Sequence, residues 1–285
     1  MTAAPRSSRL SIRHVTGFVY DGLAESSYNE ARMTPLSSSR QHVLEATLRT
    51  SPVASQLTYL DYFGSAVTAF DLHERHSQLE VTAGALVEVV RAERSSASLS
   101  LEELGTASVM DRYSEYLKAG ARTFLPDDLH AELAAEIRND DVDDVVARVS
   151  SFVRDRVAYV TGSTHVTTTA LESWTQKSGV CQDLSHLMIS FLRGRRIPAR
   201  YVSGYLHPQA DPTIGETVLG QSHAWVEYFC GEWVGVDPTN GNDIGLQHVV
   251  VAKGRDYGDV PPLKGIYHGA PSRALGVTVE ITKLS

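Results

Sequence analysis

The stretch Ser178-Gly179-Val180-Cys181-Gln182-Asp183-Leu184-Ser185-His186-Leu187-Met188 constrains the fold most, because it hands a cysteine from a tight turn to the start of a buried helix. Apolar residues follow at Leu184, Leu187, Met188, Phe191 and Leu192, the spacing of one helical face set into a core. Gly194 is expected to end that helix. Gly179 is expected to permit the turn, so that Cys181 falls in the first helical turn, where backbone N–H groups lack intrahelical partners. A helix start favours negative charge, and such a setting with an imidazolium nearby lowers a cysteine pKa from ~8.5 into the range ~3.5–7.5. A free cysteine taken alone is more often an inert core residue. Cys181 reads as a nucleophile because of what lies downstream.

Ser222 to Phe229 reads as a strand, Cys230-Gly231-Glu232 as a tight turn, and Trp233 to Asp237 as the antiparallel return strand. With a side-chain period of two, His223, Trp225, Glu227 and Phe229 share one face, and Trp233, Gly235 and Asp237 share one face of the neighbouring strand. If the register puts those faces together, Asp237 lies opposite or diagonal to His223 and can hold its imidazole. A thiol at a helix start, a histidine and an orienting acid make a Cys181-His223-Asp237 triad. Cys230, in its turn, reads as a surface or semi-buried bystander. His165, His186, His207 and His248 have no ligand spacing among them and read as structural or exposed.

At 285 residues the chain has room for two ordinary domains, and 42% hydrophobic with 21% charged residues is an ordinary globular balance. The net charge of -8 argues against a nucleic-acid partner. Two cysteines give neither a disulfide framework nor zinc-type spacing, which fits a reducing cytoplasm. Met1 to His14 lacks the apolar region of a signal peptide, and no run approaches the ~18 apolar residues of a membrane span. No Gly-x-Ser-x-Gly elbow, phosphate-binding glycine loop or His-Glu-x-x-His helix is present.

From residue 9 to 91 the pattern is one of short antiparallel strands, a sandwich or barrel-like domain, with Asp21-Gly22 as a hairpin turn and Gly64-Ser65 as another. Its scattered polar groups, His73, His76 and Asn29 to Arg32, read as a half-exposed sheet surface. Residues 92–126 read as a linker with short helices, marked by Ser95-Ser96 and the turn Leu101 to Leu104. Residues 127–285 follow as the catalytic domain, with its motif core at 165–241. Helices are expected over 127–138 and 141–157, the second with Val142, Val145, Val146, Val149, Phe152 and Val153 on one face. Eight acidic residues between Asp127 and Asp144 read as a solvated face, not as a cation site. Thr169-Ala170-Leu171-Glu172 is a capping box, and His207 to Gln221, rich in Pro, Gly and Thr, is a loop near the site.

Gly179-Val180-Cys181-Gln182-Asp183, Ser222-His223-Ala224-Trp225-Val226-Glu227 and Trp233-Val234-Gly235-Val236-Asp237-Pro238-Thr239-Asn240-Gly241 resemble the three motifs of bacterial transglutaminase-like proteins. The β-rich start and the Gly254-Arg255-Asp256-Tyr257-Gly258-Asp259-Val260-Pro261-Pro262 segment resemble the same family, so the likeness covers nearly the whole chain. Leu184 and Ser185 stand where many relatives carry an aromatic and an alanine, which touches packing behind the cysteine. The resemblance implies an α+β fold, a papain-like, transglutaminase-like core preceded by the β-rich domain. It implies Cys181 as nucleophile, His223 as acid/base and Asp237 as its orienting partner, with no metal and no organic cofactor. The expected reaction is cleavage or transfer of an amide acyl group through a Cys181 thioester. The substrate would be a peptide, a protein or a small amide. An amine acceptor would make the chain a transferase and water would make it an amidase or peptidase, while a non-catalytic binding module is the third reading. Oligomeric state is not readable from these residues.

Overall fold

Alternating apolar residues from Leu10 onward do form a strand, and a far longer one than the turn residues suggest. In the computed structural model, which describes residues 7–91, 94, 98–138 and 141–285, β1 runs unbroken over Ser7–Ala31. It is followed by β2 (Gln41–Ser51), β3 (Gln56–Leu60), β4 (Ala66–Leu72) and β5 (His76–Val90). β3 and β4 form the expected hairpin around Gly64-Ser65, where the Asp61 carboxylate accepts from the N–H groups of Phe63 and Ser65. Along β5 the residues Leu79, Val81, Ala83, Ala85, Val87 and Val89 point inward in strict alternation, so the period-two pattern alone sets which face is buried.

Residues 98–126 are more ordered than a linker. α1 (Leu101–Leu104) is closed by a Ser100–Glu103 capping box and α2 (Ala107–Arg112) follows. Tyr113 and Tyr116 then pack edge-on against Trp233, at ring-centroid distances of 5.6 and 5.2 Å. Ser95-Ser96 lies outside the described residues. α3 (Asp127–Glu136) and α4 (Val142–Arg156) form as expected, with the six apolar residues of the α4 face all buried and Asp141 capping its start. The acidic stretch is in part ion-paired: Asp143 meets Arg94, and Glu132 and Glu136 meet Arg156, while Asp140 lies outside the described residues.

A short strand β6 (Ala158–Tyr159) leads to α5 (Ala170–Gln176), whose Thr169–Glu172 capping box forms as read. β7 (Ser178–Gly179) pairs in parallel with β6 and delivers the chain to α6 (Cys181–Gly194). Every residue of α6 from Gln182 to Arg193 is buried. Phe191, with no exposed surface, sits among Phe152, Trp174 and His130, at centroid distances of 5.3, 5.5 and 5.7 Å. Truncating an aromatic so placed costs about 3–5 kcal/mol, so this cluster is a main anchor of the helix.

The chain then lays down β8 (Ala199–Leu206), β9 (Thr217–Leu219), β10 (Gln221–Phe229), β11 (Trp233–Asp237), β12 (Asn242–Asp243) and β13 (His248–Gly254). All but β9 form an antiparallel sheet in the order β12-β11-β10-β8-β13. One face of this sheet, with Ala199, Tyr201, Ala224 and Val226, joins the core around α6. The other face carries His223, Trp225 and Glu227.

β14 (Leu263–Gly269), β15 (Ser272–Ala274) and β16 (Thr278–Lys283) return to pair with β1. The last strands of the segment read as catalytic thus complete the N-terminal sheet. Their return also explains why Asp21-Gly22 makes no hairpin: the Asp21 N–H donates to the Pro271 carbonyl and the Leu23 carbonyl accepts from Ala270, so the segment stays extended. Nor is 207–221 a loop throughout. β9 pairs with β16, and the Gly220 N–H donates to the Val279 carbonyl. The β-rich region also covers the outer edge of β13. The Gln41 amide both donates to the Val250 carbonyl and accepts from its N–H, at 2.8 Å each, and Ser65 Oγ accepts from the Lys253 N–H.

Candidate active site

Cys181 is the first residue of α6 and is half-buried. Its N–H belongs to the first turn, whose donors have no intrahelical acceptor. The turn is held from inside: the Asp183 carboxylate, fully buried, accepts from the Val180 N–H at 2.8 Å and from Thr164 Oγ1 at 2.6 Å. Burial raises the Asp183 pKa, with those two hydrogen bonds opposing the shift. Gly179 is needed here for a reason other than the one expected. Its backbone is not left-handed, but a Cβ on it would lie 2.7 Å from both Asp183 Cβ and Ser173 Oγ. Gly179→Ala is therefore expected to destabilise the protein by about 1–3 kcal/mol through overpacking. Gly276→Ala, where nothing lies within 4 Å, should be nearly neutral, and urea denaturation of the two variants checks the contrast.

His223 and Asp237 come together as the hairpin register predicts. The ladder pairs Val226 with Val236, which sets Trp225 across from Asp237 and His223 on the diagonal. His223 Nε2 lies 2.7 Å from Asp237 Oδ2, with the two side chains 2% and 0% exposed. Nδ1 is the ring nitrogen left for Cys181. Burial opposes a charge on the imidazole, but the Asp237 hydrogen bond and the Cys181 sulfur outweigh it and raise the His223 pKa to about 9. At neutral pH His223 is therefore an imidazolium facing the sulfur. Burial likewise opposes the Asp237 carboxylate. Hydrogen bonds from His223, His248 and Asn240 outweigh that and hold it well below the usual range.

Sequence reasoning missed His248. Its Nε2 lies 3.4 Å from Asp237 Oδ2, and its Nδ1 accepts from the Gly245 N–H at 3.2 Å, so Nε2 is the protonated nitrogen and donates to Asp237. Asp237 Oδ1 accepts from the N–H groups of Thr239 and Asn240, and Oδ2 also accepts from Asn240 Nδ2 at 2.7 Å. The ligand atoms of His223, Asp237 and His248 lie within 4.8 Å of one another, a spacing one cation could use. The five donors already on Asp237 make the trio a hydrogen-bonded relay. Trp225 packs edge-on to His248 at 5.3 Å, and Gly204 makes room for it, since a Cβ there would lie 2.5 Å from the indole. Nothing in the spacing of His248 marked this position, because its strand reaches the site through β8 and not through the hairpin.

The remaining sulfur and imidazoles fall elsewhere. Cys230 is not at the surface: it is 2% exposed, and burial raises its thiol pKa. His186 and His207 are buried away from ligand clusters, His186 accepting from the Tyr257 N–H. Both cysteines are free. Among the described residues no helix is long and apolar enough to cross a membrane.

Fold and site together define a mixed α/β protein in which a helix-terminal cysteine faces a buried histidine–aspartate pair. Residues 10–88 match the bacterial transglutaminase-like N-terminal region, and residues 131–238 match the transglutaminase-like superfamily. An uncharacterized protein of Mycobacterium leprae is 42% identical over 277 residues, covering 97% of this chain and 99% of that one. A shorter likeness, 34% over 106 residues, links 33% of this chain to 16% of a protein-glutamine gamma-glutamyltransferase of Pseudomonas aeruginosa. A solved protein of Cytophaga hutchinsonii, described provisionally as a cysteine protease, superposes with a TM-score of 0.79 at 22% identity, covering 99% of this chain and 92% of that one. The chain belongs to the bacterial transglutaminase-like family, and the expected α+β architecture with its β-rich N-terminal region is the fold observed.

Proposed function

We propose that the chain transfers the acyl group of a peptide or protein amide, glutamine side chains foremost, through a thioester on Cys181. The observation that carries this reading is the buried His223–Asp237 pair at 2.7 Å, with Nδ1 left to face a cysteine at the start of α6. Cys181 attacks the amide carbonyl as the thiolate, and its own N–H is one donor to the oxyanion. His223 Nδ1 gives its proton to the departing nitrogen, the C–N bond breaks, and ammonia or an amine leaves the thioester behind. Water or a primary amine then attacks, returns a proton to Nδ1, and breaks the C–S bond to free an acid or a new amide. Asp237 keeps the imidazole oriented throughout. Membership of the family and the named activity of the Pseudomonas relative support the glutamine class.

Hydrolysis is the second reading, favoured by the half-exposed position of Cys181, which lets water reach the thioester. The two are separated by paired time courses of ammonia release and amine incorporation on a glutamine-containing peptide, with Cys181→Ala as blank. Release without acceptor, partly diverted by a lysine analogue, is the expected result. No Cys181-dependent release from any donor would return the chain to the class of binding modules. We assign the acyl chemistry to the helices and the five-stranded sheet, and a scaffolding role to residues 9–91 with the strands of 263–283. Two free thiols suit a reducing cytoplasm.

A further inference from the structure

Between the β-rich region and the face of the five-stranded sheet that carries Trp225 and Glu227 lies a cavity of about 820 Å³. Its walls come from both parts of the chain: the segment Leu36 to Gln41 and the β3–β4 turn on one side, β10, β11 and β13 on the other. Neither Cys181 nor His223 lines it, whereas His248 does. Its size is that of small-molecule sites, which span about 300–1,000 Å³.

The floor holds an unbalanced charge cluster. Arg200 donates to Glu227 Oε2 through Nε at 2.7 Å, and Lys253 Nζ donates to Oε1 at 2.9 Å. The three side chains are 15%, 11% and 27% exposed, so two cations share one carboxylate where little water reaches. Arg200 is fixed further by stacking on Trp233, its guanidinium carbon 3.9 Å from the ring centre. Lys253 spends one of its three protons on Glu227, and none of the described residues takes the others. Burial lowers the Lys253 pKa, with Glu227 opposing, as expected for an ammonium short of counter-charge. Trp225, fully buried, closes the cavity wall beside this cluster. With Arg40, Arg91, Glu232 and Asp243, which also line the cavity, four cations face three carboxylates, one positive charge in excess within a protein whose net charge is -8.

We propose that this cavity binds the carboxylate end of a short peptide or acylated amino acid. A carboxylate supplies the single missing negative charge and accepts from the Lys253 ammonium, while the apolar wall formed by Leu36, Leu246 and Val250 takes the side chain. A dianionic phosphate would overcompensate the cluster. His248 lines the cavity and also donates to Asp237, so an occupant sits one residue from the histidine–aspartate pair. The proposal does not rest on the acyl-transfer reading, because it is read by binding alone.

The test is calorimetric titration of the full chain with N-acetyl-Ala-Leu, its C-terminal amide and inorganic phosphate. The acid is expected to bind about 10-fold or more tightly than the amide, which corresponds to about 1.4 kcal/mol. Lys253→Met should weaken the acid by a similar factor, Lys253→Arg should retain it, and Glu227→Gln should tighten it, because each changes the charge surplus in a stated direction. Cys181→Ala should bind like the unaltered chain. Equal binding of acid and amide, preference for phosphate, indifference to Lys253→Met with Lys253→Arg folded, or no heat from the acid would each overturn the proposal.

Discussion

Replacing Cys181 with alanine is expected to abolish amide turnover, by ~10⁴–10⁶-fold, because the other thiol, Cys230, is 2% exposed and the remaining pair can only bind and polarise. Alkylation gives the companion result on the unaltered protein. Iodoacetamide near pH 6 should modify Cys181 much faster than Cys230. The first sulfur is half-buried beside an imidazolium, while the second is 2% exposed with a pKa raised by burial. Peptide mapping after partial labelling reads the ratio directly. Equal labelling, or faster labelling of Cys230, would remove Cys181 from the nucleophile's place.

Asp237→Asn is expected to lower turnover by ~10⁴-fold while leaving the fold in place. An asparagine Oδ1 can still accept from the N–H groups of Thr239 and Asn240, but its amide nitrogen meets His223 Nε2 donor to donor, which turns the ring to the wrong tautomer. The pH profile carries the more specific signature. His223 stays an imidazolium up to about pH 9, so the alkaline limb of activity should lie there and move toward the ordinary 6.5 in the variant. Stability follows the same signs. The raised His223 pKa contributes stability that is fully present below 6.5 and lost as pH rises through about 9. The depressed Asp237 pKa contributes stability present above its ordinary 3.8 and lost as pH falls below it. Thermal melts of both proteins across pH 3 to 10 should therefore differ most below pH 6.5 and draw closer as pH rises through about 9. Unchanged kinetics in a folded variant would show that another group orients His223.

The His223–Asp237 pairing was legible because it rests on local geometry, a hairpin short enough that period-two alternation predicts the diagonal, and the helix behind Cys181 was legible from its one apolar face. His248 was not, since it reaches Asp237 through the pairing of β13 with β8, and such non-local register leaves no mark in spacing. The same limit explains Asp21-Gly22. A dipeptide with strong turn propensity stays extended because residues some 250 positions later supply its hydrogen bonds, a partner no local window contains. Gly179 was singled out correctly but for the wrong reason, because close approach and a left-handed backbone both select glycine and a bare sequence does not separate them.

The claim that Gln41 and Ser65 lay on β13 bears on how a substrate can be gripped. Many enzymes hold a peptide by letting it join a sheet as one more strand, main chain to main chain, which makes recognition tolerant of side-chain identity. Here that route is shut at one border, where Val250 and Lys253 already have side-chain partners, and it is curtailed at the other, where β12 offers only Asn242 and Asp243. On the acyl-transfer reading proposed above, a peptide at this sheet is read through the reacting side chain and its immediate neighbours, so selectivity is expected to depend more on what is attached to the amide than on the extended backbone that carries it.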